Sequence, residues 1–232
     1  MKSFRLASYN ICSSHFLHGH YTQENLTLLA QTISEPALSV VCLQEVDKVC
    51  SRSEGVDMTA ELARMAGYSF TYFIKIRDFQ GGEYGTAILS RYPILEAKTL
   101  NFAVRLAKQG TSCGYVVLDV DGERVTLFNT HLSVESDEAN TETMLCLGDI
   151  LTEYIQKNQG RILCCGDFNT NPDKLAKHLP CFSRANADLL TYADRSIDNV
   201  LYIGYEVTNV HTLDTTTSRV TDHNMLICDV IL

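Results

Sequence analysis

Short apolar stretches bounded by turn residues recur along most of this chain. Stretches rich in β-branched and aromatic residues are typical of buried or half-buried strands. The pattern predicts strands over residues 4–11, 39–44, 86–90, 94–102, 114–120, 125–130, 162–165, 199–203, 206–211 and 224–231. Because several of these stretches follow one another directly, we expect mixed or antiparallel sheets.

Three other stretches repeat their apolar residues at helical spacing, over residues 22–33, 57–66 and 137–156. Thr22 is suited to cap the first helix, and Gly67 to end the second. One face of the third helix carries Met144, Leu147, Leu151, Tyr154 and Ile155. Since strands outnumber helices, we expect an α/β (α+β) fold in which two packed sheets are flanked by helices.

Composition narrows the class of protein. No linker, low-complexity segment or short repeat stands out, so we expect a single domain over residues 1–232. The apolar fraction of 45% is ordinary for a protein with a sizeable core. A net charge of −9, from 28 acidic and 19 basic residues, argues against a broad nonspecific grip on nucleic acid. It does not exclude a local basic patch.

The cysteines indicate the compartment. There are nine, an odd number, including the adjacent pair Cys164-Cys165, and none forms a CxxC pair of the kind that binds zinc. We therefore expect reduced, mostly buried thiols in a cytoplasmic protein. The first residues show no signal-peptide core, and no stretch is long enough to span a membrane.

The most informative stretch is residues 161–172, RILCCGDFNTNP. An apolar run ends at Gly166 and places Asp167 and Asn169 just beyond the predicted strand. Asn171 and Pro172 then resemble the N-cap and first position of a helix. Open α/β sheets carry their chemistry outside the carboxyl ends of strands, so this is a candidate site. Gly, Asp and Asn also favour turns by themselves, and on these residues alone the two interpretations are equal.

Other predicted strands also begin or end near polar residues that could take part in catalysis or metal binding: Asn10, Glu45, His131, Asp198, Asp222 and His223. Taken singly, each has a structural explanation as a solvated loop residue, a turn former or a hydrogen-bonded histidine. Together they supply what one reaction needs. Carboxylates and amides are hard oxygen ligands suited to Mg²⁺ or Mn²⁺ rather than zinc. Two histidines can supply protons or positive charge to a phosphate.

With these residues in place, the chain resembles the endonuclease/exonuclease/phosphatase superfamily of DNase I-like, metal-dependent phosphoesterases. The matching blocks follow the order of that family between residues 8 and 223: Ser8-Tyr9-Asn10, Leu43-Gln44-Glu45-Val46, residues 84–91 (YGTAILSR), Asn129-Thr130-His131-Leu132, Gly166-Asp167-Phe168-Asn169, Ser196-Ile197-Asp198 and Thr221-Asp222-His223. Each block is common in isolation, whereas the ordered set is specific. The resemblance implies a four-layer α/β sandwich of two mixed sheets between helices.

The resemblance also implies roles. Glu45 would be the principal metal ligand, with Asn10 beside it and Asp222 as a further ligand or a residue behind it. Asp167 would orient or deprotonate the attacking water, and Asn169 would hold a phosphate oxygen. His131 and His223 would flank the phosphate, and Asp198 would orient the ring of His223.

Some positions depart from the family pattern. Some members carry an acidic residue two positions after the first Asn, where this chain has Cys12. Tyr84 and Arg77 fall where the family has substrate-binding residues. We expect residues 77–83 to form a flexible loop. A solvated side chain in this loop is at least as good an explanation for Arg77 as a contact with phosphate. The loop histidines His15, His18 and His20 would form a second metal site or, as we prefer, part of a polar loop.

We therefore expect a hydrolase that uses Mg²⁺ or Mn²⁺ to cleave a phosphodiester or phosphomonoester, acting as a monomer. The acidic balance and short chain favour a small phosphorylated metabolite or a lipid headgroup as substrate. The alternative is a DNA or RNA nuclease. A binding module with a degenerate site on the same fold is a third hypothesis, which the complete set of candidate residues disfavours.

Overall fold

Twelve strands form two six-stranded mixed sheets in the computed structural model, which describes residues 2–157, 160–217 and 219–232. The strand order of the first sheet is β11 (Glu206–Leu213), β12 (Met225–Ile231), β1 (Ser3–Asn10), β2 (Val40–Lys48), β4 (Gly82–Ser90) and β3 (Phe70–Phe79). That of the second is β5 (Ile94–Asn101), β6 (Ser112–Val120), β7 (Glu123–His131), β8 (Ile162–Asp167), β10 (Asp198–Ile203) and β9 (Ser183–Arg184).

Helices cover the outer faces of both sheets. The first sheet packs against α1 (Gln23–Ser34) and α2 (Met58–Ala66), and the second against α3 (Asp137–Lys157) and α4 (Pro172–His178). The two inner faces meet in an apolar layer to which strands of both sheets contribute. The four-layer sandwich is confirmed. No helix among the described residues is long and apolar enough to cross a bilayer.

The helices begin where the sequence predicts because local side chains satisfy their first N–H groups. The Thr22 hydroxyl accepts a hydrogen bond from the N–H of Asn25 at 3.1 Å. The Asn171 side chain accepts one from Lys174 at 2.8 Å, with Pro172 at the first helical position. Gly67 ends α2 at φ +75°, a left-handed conformation that costs glycine little.

The prediction of a loop over residues 77–83 was wrong. Residues 70–79 form β3, which the sequence analysis missed, and a tight turn with positive φ at Gln80 and Gly81 joins it to β4. β3 is an edge strand whose side chains are mostly half-exposed and include Lys75 and Asp78. Charges of this kind discourage edge-to-edge pairing, and they also hide the apolar alternation on which the prediction depends.

A buried pair of amides joins the two sheets just ahead of the candidate site. Gln44 on β2 donates to the side-chain oxygen of Asn129 on β7 at 2.8 Å. The Asn129 nitrogen donates in turn to the carbonyls of Leu43 and Ala87, both at 2.9 Å. Both amide side chains are fully buried, so these bonds have no competition from solvent. They tie β2 to β7 across the two sheets, and so help to position Glu45 on β2 and His131 at the end of β7.

Asn129→Ala is therefore expected to destabilise the fold. It removes the hydrogen bonds that the Asn129 side chain makes with Gln44 and with the carbonyls of Leu43 and Ala87, which costs about 2–4 kcal/mol and lowers the Tm by about 5–15 °C. Thermal unfolding followed by circular dichroism measures the change. Asn101→Ala, at an exposed position on β5, is the matched control. A loss no larger than that of the control would contradict the role of the amide pair.

Candidate active site

The candidate residues converge at one end of the sandwich. β1 and β2 run parallel, as do β7 and β8, so their carboxyl ends point the same way. The antiparallel neighbours β12 and β10 begin at that same end. The topology thus brings together residues from both sheets that are far apart in sequence: Asn10, Glu45, His131, Asp167, Asp198 and His223.

Asp167 lies at the centre of this cluster and is 1% exposed. Its Oδ2 accepts a hydrogen bond from the Asn10 amide at 3.1 Å. Nε2 of His131 lies 3.6 Å from the same oxygen, and Nε2 of His223 lies 3.8 Å from it. Its Oδ1 accepts the backbone N–H of Asn169 at 2.9 Å. One carboxylate oxygen therefore faces an amide and two imidazoles, in a place where solvent barely reaches.

Asp167 is the last residue of β8, which extends two residues beyond the predicted strand of residues 162–165. Gly166 makes this arrangement possible. A Cβ at this position would lie 2.7 Å from the carbonyl oxygen of Thr130 on β7. Because glycine allows β7 and β8 to approach closely, His131 is brought directly opposite Asp167 in the ladder.

The second imidazole is held by a buried carboxylate. Nδ1 of His223 donates to Oδ2 of Asp198 at 2.9 Å, so Nε2 points toward Asp167. Burial alone would lower the pKa of His223, but the charge and hydrogen bond of Asp198, with a contribution from Asp167, raise it to about 9. Burial and then the charge of Asp167 raise the pKa of Asp198 to about 6. Between these values the pair is an imidazolium and a carboxylate.

The sequence analysis placed Glu45 after a strand, and this was wrong. Glu45 lies inside β2, at a bulge between Leu43 and Val46, with φ at +55°. A bulge turns a side chain out of the ladder, and here it directs the carboxylate toward the end of the sheet. Oε1 of Glu45 accepts a hydrogen bond from the Asn10 amide at 3.3 Å. The Asn10 amide therefore bridges the carboxylates of Glu45 and Asp167.

The two remaining candidates flank the cluster. Asn169 has φ at +50°, and its amide donates to the carbonyl of Leu132 at 3.0 Å, next to His131. Asp222 is half-buried beside β1, where its charge helps raise the pKa of Cys12 to about 12 after the larger effect of burial. The Cys12 thiol thus stays protonated. Its backbone N–H donates to the Asn10 oxygen at 3.0 Å, which fixes the orientation of that amide.

The donor set suits a hard cation. Glu45 and Asp167 form no ion pair with lysine or arginine among the described residues, although they share the Asn10 amide. One oxygen or nitrogen from each of Asp167, Asp198 and His223 also lies within 4.8 Å of the other two. The trio is the weaker candidate for a metal, because His223 and Asp198 are already hydrogen-bonded to each other. Oxygen-rich sites with uncompensated negative charge are those that Mg²⁺ and Mn²⁺ occupy.

Aromatic and basic residues border the cluster on the β3–β4 side. The guanidinium of Arg77 lies 5.2 Å from the ring centre of Tyr84, so these two predicted residues are neighbours. The sequence analysis missed Tyr192, whose ring centre is 4.7 Å from that of His223. It also missed Arg52, which is paired with the buried Asp47 at 2.7 Å. The contact between Tyr192 and His223 joins segments distant in sequence, so no local pattern signals it.

The histidine loop stays separate from the cluster. His18 lies 3.6 Å from Glu24, and the ring of His20 is 6.0 Å from that of His18. Burial and the charge of Arg52 lower the pKa of His15. Among the described residues, these three imidazoles form no hydrogen bond or ion pair with Glu45, Asp167 or His223.

Comparison with known proteins identifies the family and the fold of this chain. The model of the endonuclease/exonuclease/phosphatase family matches residues 7–232. The fold is similar to that of an endonuclease/exonuclease/phosphatase from Beutenbergia cavernae (TM-score 0.83, 19% identity), covering 100% of this chain and 72% of the other. It is also similar to a Bacteroides thetaiotaomicron mannosyl-6-phosphatase (0.77, 13% identity, 99% and 100%) and to the human Nocturnin catalytic domain (0.77, 19% identity, 99% and 94%). None of the curated proteins compared with this chain matches it in sequence.

Proposed function

Because this chain belongs to the endonuclease/exonuclease/phosphatase family, whose members are hydrolases acting on phosphoester bonds, we propose that it is a phosphoesterase dependent on a divalent metal. It would hydrolyse a phosphodiester or phosphomonoester by attack of an activated water. The observation that carries the proposal is the convergence of Asn10, His131 and His223 on the buried carboxylate of Asp167. A binding module would have no need of this arrangement.

The proposed roles follow from these contacts. The Asp167 carboxylate lies where it can orient a water and accept its proton. His223, held as an imidazolium by Asp198, supplies positive charge and a hydrogen bond to a phosphate oxygen. His131, whose Nε2 lies 3.6 Å from Asp167, forms a further hydrogen bond with the phosphate, and Asn169 positions another oxygen.

Glu45 is proposed as the main ligand of Mg²⁺ or Mn²⁺, with Asn10 and Asp222 beside it. The Glu45 carboxylate, which has no ion-pair partner among the described residues and accepts the Asn10 amide, fits such an ion. When bound, the ion supplies neutralisation of phosphate charge. Magnesium is the first candidate, since family members generally use divalent metals.

The proposed substrate is a small phosphorylated metabolite or a lipid headgroup. The cavity beside the cluster measures about 180 Å³, which favours a compact molecule, and Tyr84 and Arg77 line it. A DNA or RNA nuclease is the second candidate and would require a basic groove, which the net charge of −9 does not favour. We also propose a single domain over residues 1–232 that acts as a monomer, in the cytoplasm because its nine cysteines are free.

Colorimetric assays of the purified protein test the proposal. In the presence of Mg²⁺ or Mn²⁺ it should hydrolyse p-nitrophenyl phosphate or bis-p-nitrophenyl phosphate. Excess chelator should remove the activity and added metal should restore it. Full activity in chelator would contradict metal dependence. Correct folding with neither metal binding nor hydrolysis would favour a binding module, and preference for DNA or RNA over small esters would favour the nuclease.

Glu45→Gln is expected to weaken metal binding, because an amide lacks the negative charge that holds a hard cation. The Mn²⁺ dissociation constant, measured by isothermal titration calorimetry, should rise by about tenfold or more. The matched control is Glu54→Gln, which removes the same charge at an exposed position shortly after the end of β2. Equal affinities in the two variants would move the metal away from Glu45.

A further inference from the structure

The cavity of about 180 Å³ leads away from the catalytic cluster. Of the six cluster residues described above, two line it, Glu45 and His131. Its other walls include Arg77, Gly110 and Thr111, which also line a second cavity of about 560 Å³ that no cluster residue reaches. Arg77 and Thr111 therefore stand between the cluster and a more distant part of the cleft, where the rest of a substrate would lie.

Arg77 is held by two aromatic rings and one hydrogen bond, and no acidic side chain among the described residues pairs with it. Its guanidinium lies 4.8 Å from the ring centre of Phe79 and 5.2 Å from that of Tyr84. Nη1 donates to the side-chain oxygen of Gln109 at 3.1 Å, while Nε is buried without a partner. Among the described residues, no carboxylate forms an ion pair with it. A fixed, unpaired guanidinium is suited to bind an oxyanion through two parallel hydrogen bonds.

Arg52 shows the contrast. It lies on the same two rings, 4.6 Å from the centre of Phe79 and 5.7 Å from that of Tyr84. Two of its nitrogens, however, donate to the two oxygens of the buried Asp47, each at 2.7 Å. Arg52 is thus neutralised within the protein. Arg77 is the member of the pair whose charge is available to a ligand.

Glu135 lies on another wall of this cavity and, among the described residues, forms no ion pair with Arg77. The Glu135 carboxylate lines the cavity, but its oxygens accept the N–H groups of Lys108 and Gln109 at 3.1 and 2.8 Å. It therefore holds the loop of Lys108 and Gln109 in place. The Thr111 hydroxyl is buried and has no partner among the described residues. Thr111 can donate a further hydrogen bond beside Arg77.

We propose that Arg77 and Thr111 bind a second anionic group of the substrate, separate from the phosphate that is hydrolysed. This deepens the proposed phosphoesterase function and rests on it. The substrate class is an alcohol that is esterified with phosphate at one position and carries another oxyanion, a phosphate or a carboxylate, at a distant position. Water attacks the first phosphorus, the alcohol leaves with a proton, and the second anion stays bound to Arg77.

Matched synthetic substrates test the proposal. We would measure kcat/KM, from released phosphate, for alkanediol monophosphates and bisphosphates of increasing chain length, and for phosphorylated hydroxyalkanoates. The wild type should prefer the doubly anionic members at one chain length by about ten- to hundredfold, the gain of a charged hydrogen-bonded pair. Comparison of the bisphosphate with the carboxylate shows which second oxyanion is preferred.

Arg77→Gln should abolish this preference, because it should lower kcat/KM for the bisphosphates much more than for the monophosphates. Arg77→Lys should keep part of it, since the charge remains but the fork is lost. Thr111→Val should reduce it. The control is Arg124→Gln, which removes an exposed arginine from β7 about 23 Å along the strand from His131.

Three results would overturn the proposal. An equal loss for monophosphates and bisphosphates in Arg77→Gln would show that Arg77 contacts the hydrolysed phosphate instead. No preference in the wild type at any chain length would show that the second site does not exist. If the wild type hydrolyses no ester at all, the phosphoesterase proposal fails. The second anion site is then tested separately, by comparing the calorimetric affinities of the protein for alkane bisphosphonates and for alkylphosphonates. Equal affinities there would exclude it.

Discussion

Asp167→Asn should lower kcat/KM for phosphate ester hydrolysis by about a hundredfold to ten-thousandfold, the range lost when a general base is removed. The amide can still accept the N–H of Asn169, and its size is nearly unchanged, so the fold should persist. It cannot accept a proton from water. It also removes the negative charge that faces His131 and His223 at 3.6 and 3.8 Å.

Steady-state assays with p-nitrophenyl phosphate measure this loss, and circular dichroism confirms folding. Asp173→Asn, at an exposed position in the first turn of α4, removes the same charge outside the cluster and should retain wild-type activity. Retention of more than about a tenth of the activity by Asp167→Asn would show that another group activates the water, since a general base contributes much more.

Asp198→Asn is expected to change both the rate and its pH dependence. Under the proposed mechanism, wild-type activity requires Asp198 ionised and His223 protonated. It should therefore rise through a pH of about 6 and fall as the pH passes about 9. Without the Asp198 charge, the pKa of His223 moves down toward its ordinary value of 6.5, because burial opposes its charge and Asp198 no longer offsets this. At pH 8 the imidazolium would be the minor form, with a loss of about a hundredfold in kcat.

The pH profile of kcat/KM distinguishes this effect from structural damage. The alkaline limb should move to lower pH in Asp198→Asn, and the acid limb should lose its contribution from Asp198. Asp188→Asn, an exposed aspartate ahead of the same strand, should keep both limbs where they are. An unchanged alkaline limb in Asp198→Asn would mean that His223 does not act as the charged group.

The elements that the sequence predicted correctly are those that depend on local features. Buried strands such as β8 are continuous apolar runs, and the caps at Thr22 and Asn171 depend on residues within one turn of the helix. The edge strand β3 was missed because its exposed face is charged, and Glu45 was misplaced because a bulge leaves no mark in the apolar pattern. Both errors concern places where pairing with another strand overrides local preference.

By itself the sequence determined the family, the four-layer fold and the set of polar residues at strand ends, because these depend on short patterns and their order. Only the tertiary structure decided how those residues meet. Parallel pairing sends the ends of β1, β2, β7 and β8 in one direction, and the face-to-face sheets bring Asn10 to 3.1 Å from Asp167, which is 157 residues away. Likewise, only packing decided that Asp47 neutralises Arg52 and leaves Arg77 charged, since the balance of charges depends on neighbours in space.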